Sequence, residues 1–263
     1  MTQTTRRCLL ALASVALLTL PVRAQTVSAH QGDLILGFRA TGGTGAGLNL
    51  EVDLGSISNF YNAAPDSTTP LPALVTQDLV DNYGAGWFTD PNLFWGAAAT
   101  DGNALPDPNG KLASTLWATG IQGGTVPLIG SAGLQAGPAT KIGGVYGGFV
   151  GSLNGATSTS NSSAATTIAN SASGSWSSQE TGASSFGYFS PKIDGQVSSD
   201  RVLNLYELQP SSDFPRPAAN ALGRLELTQN GVTFIPEPST WTLVGLGFGM
   251  SITLLRRRKS VRV

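Results

Sequence analysis

Apolar and polar residues alternate over Asp33–Ala40, which puts Leu34, Leu36 and Phe38 on one face. They alternate again over Gly47–Leu54, where Leu48, Leu50, Val52 and Leu54 point in and Asn49, Glu51 and Asp53 point out. A period of two is that of a half-buried β-strand. The Gly-rich stretch Thr41–Ala46 between the two strands reads as a hairpin loop. Leu74, Val75, Leu79 and Tyr83 recur instead at helical spacing, Pro72 suits a first helical turn and Gly84 suits the position just past the end, so a helix is predicted over Pro72–Tyr83. Further strands are predicted at Leu93–Ala98, Lys111–Thr119, Ile142–Val150, Phe186–Phe189, Val202–Leu208, Arg224–Thr228 and Val232–Ile235, the last two joined by a turn at Gln229–Gly231. Many short strands with Gly-rich turns predict a mainly β body, an antiparallel β-sandwich or jelly-roll-like fold with one or two short helices.

The two ends of the 263-residue chain follow other rules. Arg6 and Arg7 precede the 13-residue apolar run Cys8–Leu20, and small or apolar residues, Val22 and Ala24, stand just before Gln25. This is the three-part pattern of a secretory signal peptide spanning residues 1–24, cleaved between Ala24 and Gln25. The apolar run is shorter than the ~20 residues of a membrane span. Arg6-Arg7 also matches a twin-arginine signal, and both export routes stay open.

At the other end, Pro236-Glu237-Pro238 precedes an uncharged apolar stretch, Ser239–Leu255, and then Arg256, Arg257, Arg258 and Lys259. As a helix the 17 residues of 239–255 measure about 25 Å, enough to cross a slightly thinned bilayer. Trp241 sits at interfacial depth, Gly245, Gly247 and Gly249 are tolerated in membrane helices, and the cation cluster is a cytoplasmic stop.

These residues together resemble the PEP-CTERM sorting signal, a tail also called the ice-binding protein C-terminal domain. The resemblance covers about residues 235–263. It implies export by a bacterium, recognition by an exosortase-type processing transpeptidase near Pro236, Glu237 and Pro238, and transfer of the body to the cell surface or to an exopolysaccharide and biofilm matrix. The opening Asp33–Gly45 is similar to that of exported proteins bearing this tail, which implies a shared β-type body. The ice-binding label belongs to the tail. In the body the threonines are scattered, without the flat repeat an ice-binding face needs.

Composition narrows the chemistry. Only 12% of residues are charged, about half the usual share. Between Gln25 and Ile235 there are 7 basic and 15 acidic residues, a net charge of −8 that argues against a nucleic-acid partner. Beyond the leader there is no cysteine, and His30 is the single histidine. Disulfides, thiolate metal sites and multi-histidine zinc sites are therefore excluded from the body, and no cofactor is expected.

The remaining candidates each have a plainer reading. Gly42–Gly47 follows a strand but precedes another strand rather than a helix, so it reads as a turn and not a phosphate loop. Glu51 and Asp53 lie about 7 Å apart on one strand face, a spacing open to glycoside hydrolysis. The alternation places them on the wet side, where no carboxyl pKa is raised. Asp101, Asn103, Asp107 and Asn109 supply oxygen ligands in a turn-rich stretch, without the spacing of a helix-loop-helix calcium site. Trp87, Phe88, Phe94, Trp95, Trp117 and Trp176 suit either a core or a sugar-stacking platform. Residues 157–185, rich in Ser and Thr, read as a solvated loop or as polar strand edges with a short helix near Ala164–Ala169, and Asn161 begins a glycosylation-type triplet.

The expectation is a non-enzymatic, exported surface or matrix protein, held by a C-terminal membrane helix and sorted by its tail. Exopolysaccharide and the membrane are its expected surroundings. A carbohydrate-binding sandwich is the alternative and a secreted glycan hydrolase the third reading. A solvent-facing pair of coplanar rings would favour the second, and two carboxylates buried in a cleft the third.

Overall fold

A computed structural model describes residues 29–65, 67–102, 110–149, 164–181 and 193–237. The leader and its cut at Ala24 and Gln25, the strand predicted at 186–189, Asn161, Asn103, Asp107, Asn109, Pro238, the apolar stretch 239–255 and the cluster Arg256, Arg257, Arg258 and Lys259 all lie outside the described residues.

The body is mainly β and antiparallel, with a few helices. Its strands are β1 (Asp33–Ala40), β2 (Leu48–Ser56), β3 (Thr69–Leu71), β4 (Leu93–Thr100), β5 (Leu116–Ile121), β6 (Ala165–Ala169), β7 (Gly195–Gln196), β8 (Val202–Leu208), β9 (Asn220–Thr228) and β10 (Gly231–Pro236). They join one sheet in the order β3-β10-β9-β8-β5-β4-β1-β2-β6, with β7 paired to β4. β5 covers Ala98–Thr100 of β4 and β7 covers Phe94 and Trp95. Thr119 closes the gap between them: its hydroxyl accepts from the Ala97 N–H (2.8 Å) and donates to the Ile193 carbonyl (2.6 Å).

The sheet curls around one apolar cluster. Leu34, Leu36 and Phe38 of β1 meet Leu50 and Val52 of β2, Trp95 of β4, Trp117 of β5, Leu203 and Leu205 of β8, Leu225 and Leu227 of β9, and Val232 and Phe234 of β10. Helix α1 (Ser58–Tyr61) and helix α2 (Thr76–Tyr83) plug this interior with Phe60, Leu79 and Tyr83. Phe60 packs edge-on to Phe234, with ring centres 5.1 Å apart. The Tyr83 hydroxyl is inserted between β1 and β2, accepting from the Leu50 N–H (3.0 Å) and donating to the Phe38 carbonyl (2.9 Å). α2 starts at Thr76, later than its apolar spacing predicts, and stops where expected, because Gly84 takes a φ of 82° that other residues resist.

A second apolar cluster covers the outer face. Helix α3 (Ala132–Gly148) lays Ala139, Ile142, Val145 and Tyr146, with Phe149 just past its end, over Ile35, Ala98, Leu116, Ala118 and Tyr206. The Tyr146 hydroxyl ties it to the strands, accepting from the Thr100 N–H (2.9 Å) and donating to the Asp33 carbonyl (3.0 Å).

Three expectations are corrected here. Ile142–Val150 is not a strand: residues 142–148 are the last two turns of α3. Glycine disfavours helix in isolation, but burial of Ile142, Val145, Tyr146 and Phe149 at helical spacing outweighs that preference. Within the Ser/Thr-rich tract, Ala165–Ala169 is an edge strand paired with β2, in line with the polar-edge reading of the tract and not the short helix expected near Ala164–Ala169, because its backbone completes the ladder from Leu48 to Val52. Leu48 is exposed rather than inside, since it opens β2 at the margin of the sheet.

Candidate functional site

The strand sequence itself hides the site. β1 and β2 were expected to have one dry and one wet face, yet nearly every residue of β1 is buried. The wet face is absent because a short helix, α4 (Trp176–Thr181), closes over it beside α3. The Trp176 ring lies directly on Gly37 of β1: a Cβ there would fall 2.0 Å from its Cδ2. Only a residue without a side chain admits the indole at this distance.

Polar groups on β2 hold the start of α4, where backbone N–H groups lack helical partners. Glu51 Oε1 accepts from the Trp176 N–H at 2.5 Å. Asn49 Oδ1 accepts from the Ser177 N–H (2.9 Å) and hydroxyl (2.7 Å). The Ser175 hydroxyl accepts from the Ser178 N–H (3.1 Å). Glu51 is fully buried, directly opposite Gly37 on β1 and Thr166 on β6. Its Oε2 faces the end of α3, where a Cβ on Gly148 would lie 2.9 Å away. Burial pushes the Glu51 carboxyl up to about 8, against the opposing pull of the Trp176 N–H. Glu51 is therefore mostly protonated at pH 7.

The far end of α4 is held by charge. Arg39 of β1 is buried and donates through Nε to Asp194 Oδ2 (2.7 Å), and its Nη2 lies 2.6 Å from the same oxygen and 3.1 Å from Glu180 Oε2. The guanidinium also sits over the Phe94 ring, 5.0 Å from its centre. Asp194 precedes β7 and Glu180 lies on α4, so one cation joins three separate elements.

Glu51 and Asp53 are thus not the wetted pair expected from alternation. Asp53 is half-buried, and burial raises its carboxyl to about 6; the Gly55 N–H lowers it, the Asp33 charge raises it and the His30 charge lowers it. Glu51 is sealed under α4. Glu51, Glu180 and Asp194 are buried carboxyls engaged by Trp176 and Arg39 rather than lining an open cleft. Such a set fixes a helix to a sheet.

The other candidates fall as follows. Thr41–Gly47 is the β1–β2 connection, entered and left by strands. Asp101 is buried, and among the described residues no group of three His, Cys, Asp or Glu side chains is placed for a metal. His30 is exposed, with Nδ1 3.5 Å from Asp33 Oδ2. Trp87, Trp95, Trp117 and Trp176 are buried, and Phe88 and Phe94 are capped by Arg201 and Arg39. No solvent-facing ring pair is found among them. A shallow depression of about 380 Å³ lies between Gln31, Thr100, Gly102 and the α3 residues Ala139, Thr140, Gly143 and Tyr146, with no charged side chain on its walls.

Pro236 and Glu237 close the described body. Pro236 is the last residue of β10, paired with Gly223, and the Glu237 N–H still donates to the Leu222 carbonyl (3.1 Å). Among the described residues no helix is long and apolar enough to cross a membrane.

Comparison with family models, with curated proteins and with solved structures finds no match to this chain.

Sequence reading missed Arg39, Asn49, Trp176, Glu180 and Asp194 as one unit. A signal was present: Gly37 and Arg39 share the face of β1 opposite to Leu36 and Phe38, and an arginine within an apolar strand asks for a buried partner.

Proposed function

We propose that the chain is an exported bacterial surface or matrix protein with a structural or adhesive, non-enzymatic role, sorted by its C-terminal tail. One observation carries the reading: Pro236-Glu237-Pro238, an uncharged apolar stretch and a block of four cations follow in that order, behind a chain that opens with a signal-peptide pattern. The apolar stretch and the cations support membrane tethering with the body on the outer side. An exosortase-type transpeptidase is the partner that the resemblance implies. It would meet the motif at the point where β10 ends, since Glu237 is exposed directly after the strand.

The body suits a passive role. Three of its buried carboxyls, Glu51, Glu180 and Asp194, hold α4, and Trp87, Trp95, Trp117 and Trp176 fill the interior. That placement ranks the carbohydrate-binding reading second. In fold, the single curled sheet brings β1, β2 and β4 against β8, β9 and β10 across one cluster, and we read this as a sandwich-like, jelly-roll-like closure made from one bent sheet.

The experiment is deletion of Arg256–Val263, with fractionation of the producing cells. The intact chain is expected in the membrane and surface fractions, with a mature N-terminus at Gln25. The shortened chain is expected to be released or misrouted. Unchanged surface retention would refute the sorting role.

A further inference from the structure

Of the six large apolar side chains exposed on the described body, five lie on adjoining segments: Leu112, Val126, Leu128, Leu134 and Phe214. Backbone bonds join these segments. Ile129 N–H donates to the Pro217 carbonyl (2.8 Å), Ser211 N–H to the Gly130 carbonyl (2.9 Å), and Ala219 N–H to the Pro127 carbonyl (2.8 Å). Phe214 is 95% exposed at the tip of the β8–β9 connection. Beside it runs a groove of about 370 Å³, walled by Leu112, Ala113, Ser131, Ala132, Pro210 and the Ser211-Ser212 pair.

A protruding ring and an apolar groove therefore stand two residues apart in sequence, on one face. The ring does not fill its own groove. A two-fold axis between two copies lets each ring enter the other's groove, and this isologous arrangement closes on itself. The charges agree with it. Asp213 and Arg216 flank Phe214 and Pro215 within the loop, so its tip carries no net charge. This balance matters on a body whose net charge of −8 otherwise opposes self-association. Each ring covers about 150–250 Å² and an equal area of groove wall. Two rings with their walls give about 600–1,000 Å², at the lower edge of specific interfaces, which begin at ~1,200 Å².

We propose that this face pairs two copies of the chain, each inserting Phe214 into the groove between Leu112, Ala132 and Pro210 of the other. The inference does not depend on how the tail is sorted. To test it, p-benzoylphenylalanine is placed at position 214 of the full chain, the producing cells are irradiated, and adducts are mapped by mass spectrometry. A covalent dimer joined to residues 112–113 or 131–132 is expected. Adducts on lipid or on another protein, or none between copies, would overturn the proposal. The detergent-solubilised full chain is then compared with Phe214→Asp and Ala132→Trp by sedimentation. Both positions are exposed, so each variant is expected to keep its circular dichroism and to sediment as a monomer. A wild-type monomer, or a dimer that survives either substitution, rejects it.

Discussion

Replacing Glu51 by Gln should remove much of the pH dependence of this fold. The carboxyl is fully buried and its proton is held up to about pH 8, against an ordinary value of 4.5. At about 1.36 kcal/mol per pH unit, that gap corresponds to about 5 kcal/mol between the two protonation states. The folded state keeps the proton after the unfolded chain has lost it. Stability from this group is therefore fully present below pH 4.5, declines as pH rises, and is gone above pH 8. Gln has the same shape, stays neutral, and still offers an oxygen to the Trp176 N–H. Urea unfolding of wild type and Glu51→Gln at a series of pH values isolates the effect, because Asp53 and the other carboxyls titrate alike in both. The two should be nearly equal at pH 4.5. The variant should gain on wild type by about 1.4 kcal/mol per pH unit, reaching about 3 kcal/mol at pH 7. Parallel profiles across pH 5–8 would show that Glu51 is not sealed under α4.

Arg39→Met leaves Glu180 and Asp194 buried without their shared cation and should cost about 3–5 kcal/mol in chemical denaturation. A loss below about 1 kcal/mol would place these charges in water. Gly37→Ala pushes a methyl into the Trp176 ring, 2.0 Å from Cδ2, and should lift α4 off the sheet. Faster amide exchange over residues 176–181, with β8 and β9 unchanged, is the expected signature, and uniform exchange across both regions would contradict it.

How much of this was legible depended on how local the signal was. β1 and β8 match their predicted spans residue for residue, and the β9–β10 turn falls at Gln229–Asn230, because period-two alternation and turn residues act over a few positions. α3 was obscured by its glycines, whose low helix propensity is offset only by a sheet supplied by distant segments. The pairing of Arg39 with Asp194 spans 155 positions, and nothing near either residue announces the other.

Neighbouring residues alone set β1, β8 and the β9–β10 turn, the acidic and cysteine-free character of the body, and the patterned ends. Which faces of β1 and β2 are dry was decided only in three dimensions. Alternation distinguishes the two sides of a strand, but it does not say whether a helix from elsewhere will cover the second side. Once Trp176 lies on Gly37, water is excluded from Glu51 and Asn49, and residues that read as a solvated edge become the anchor of α4.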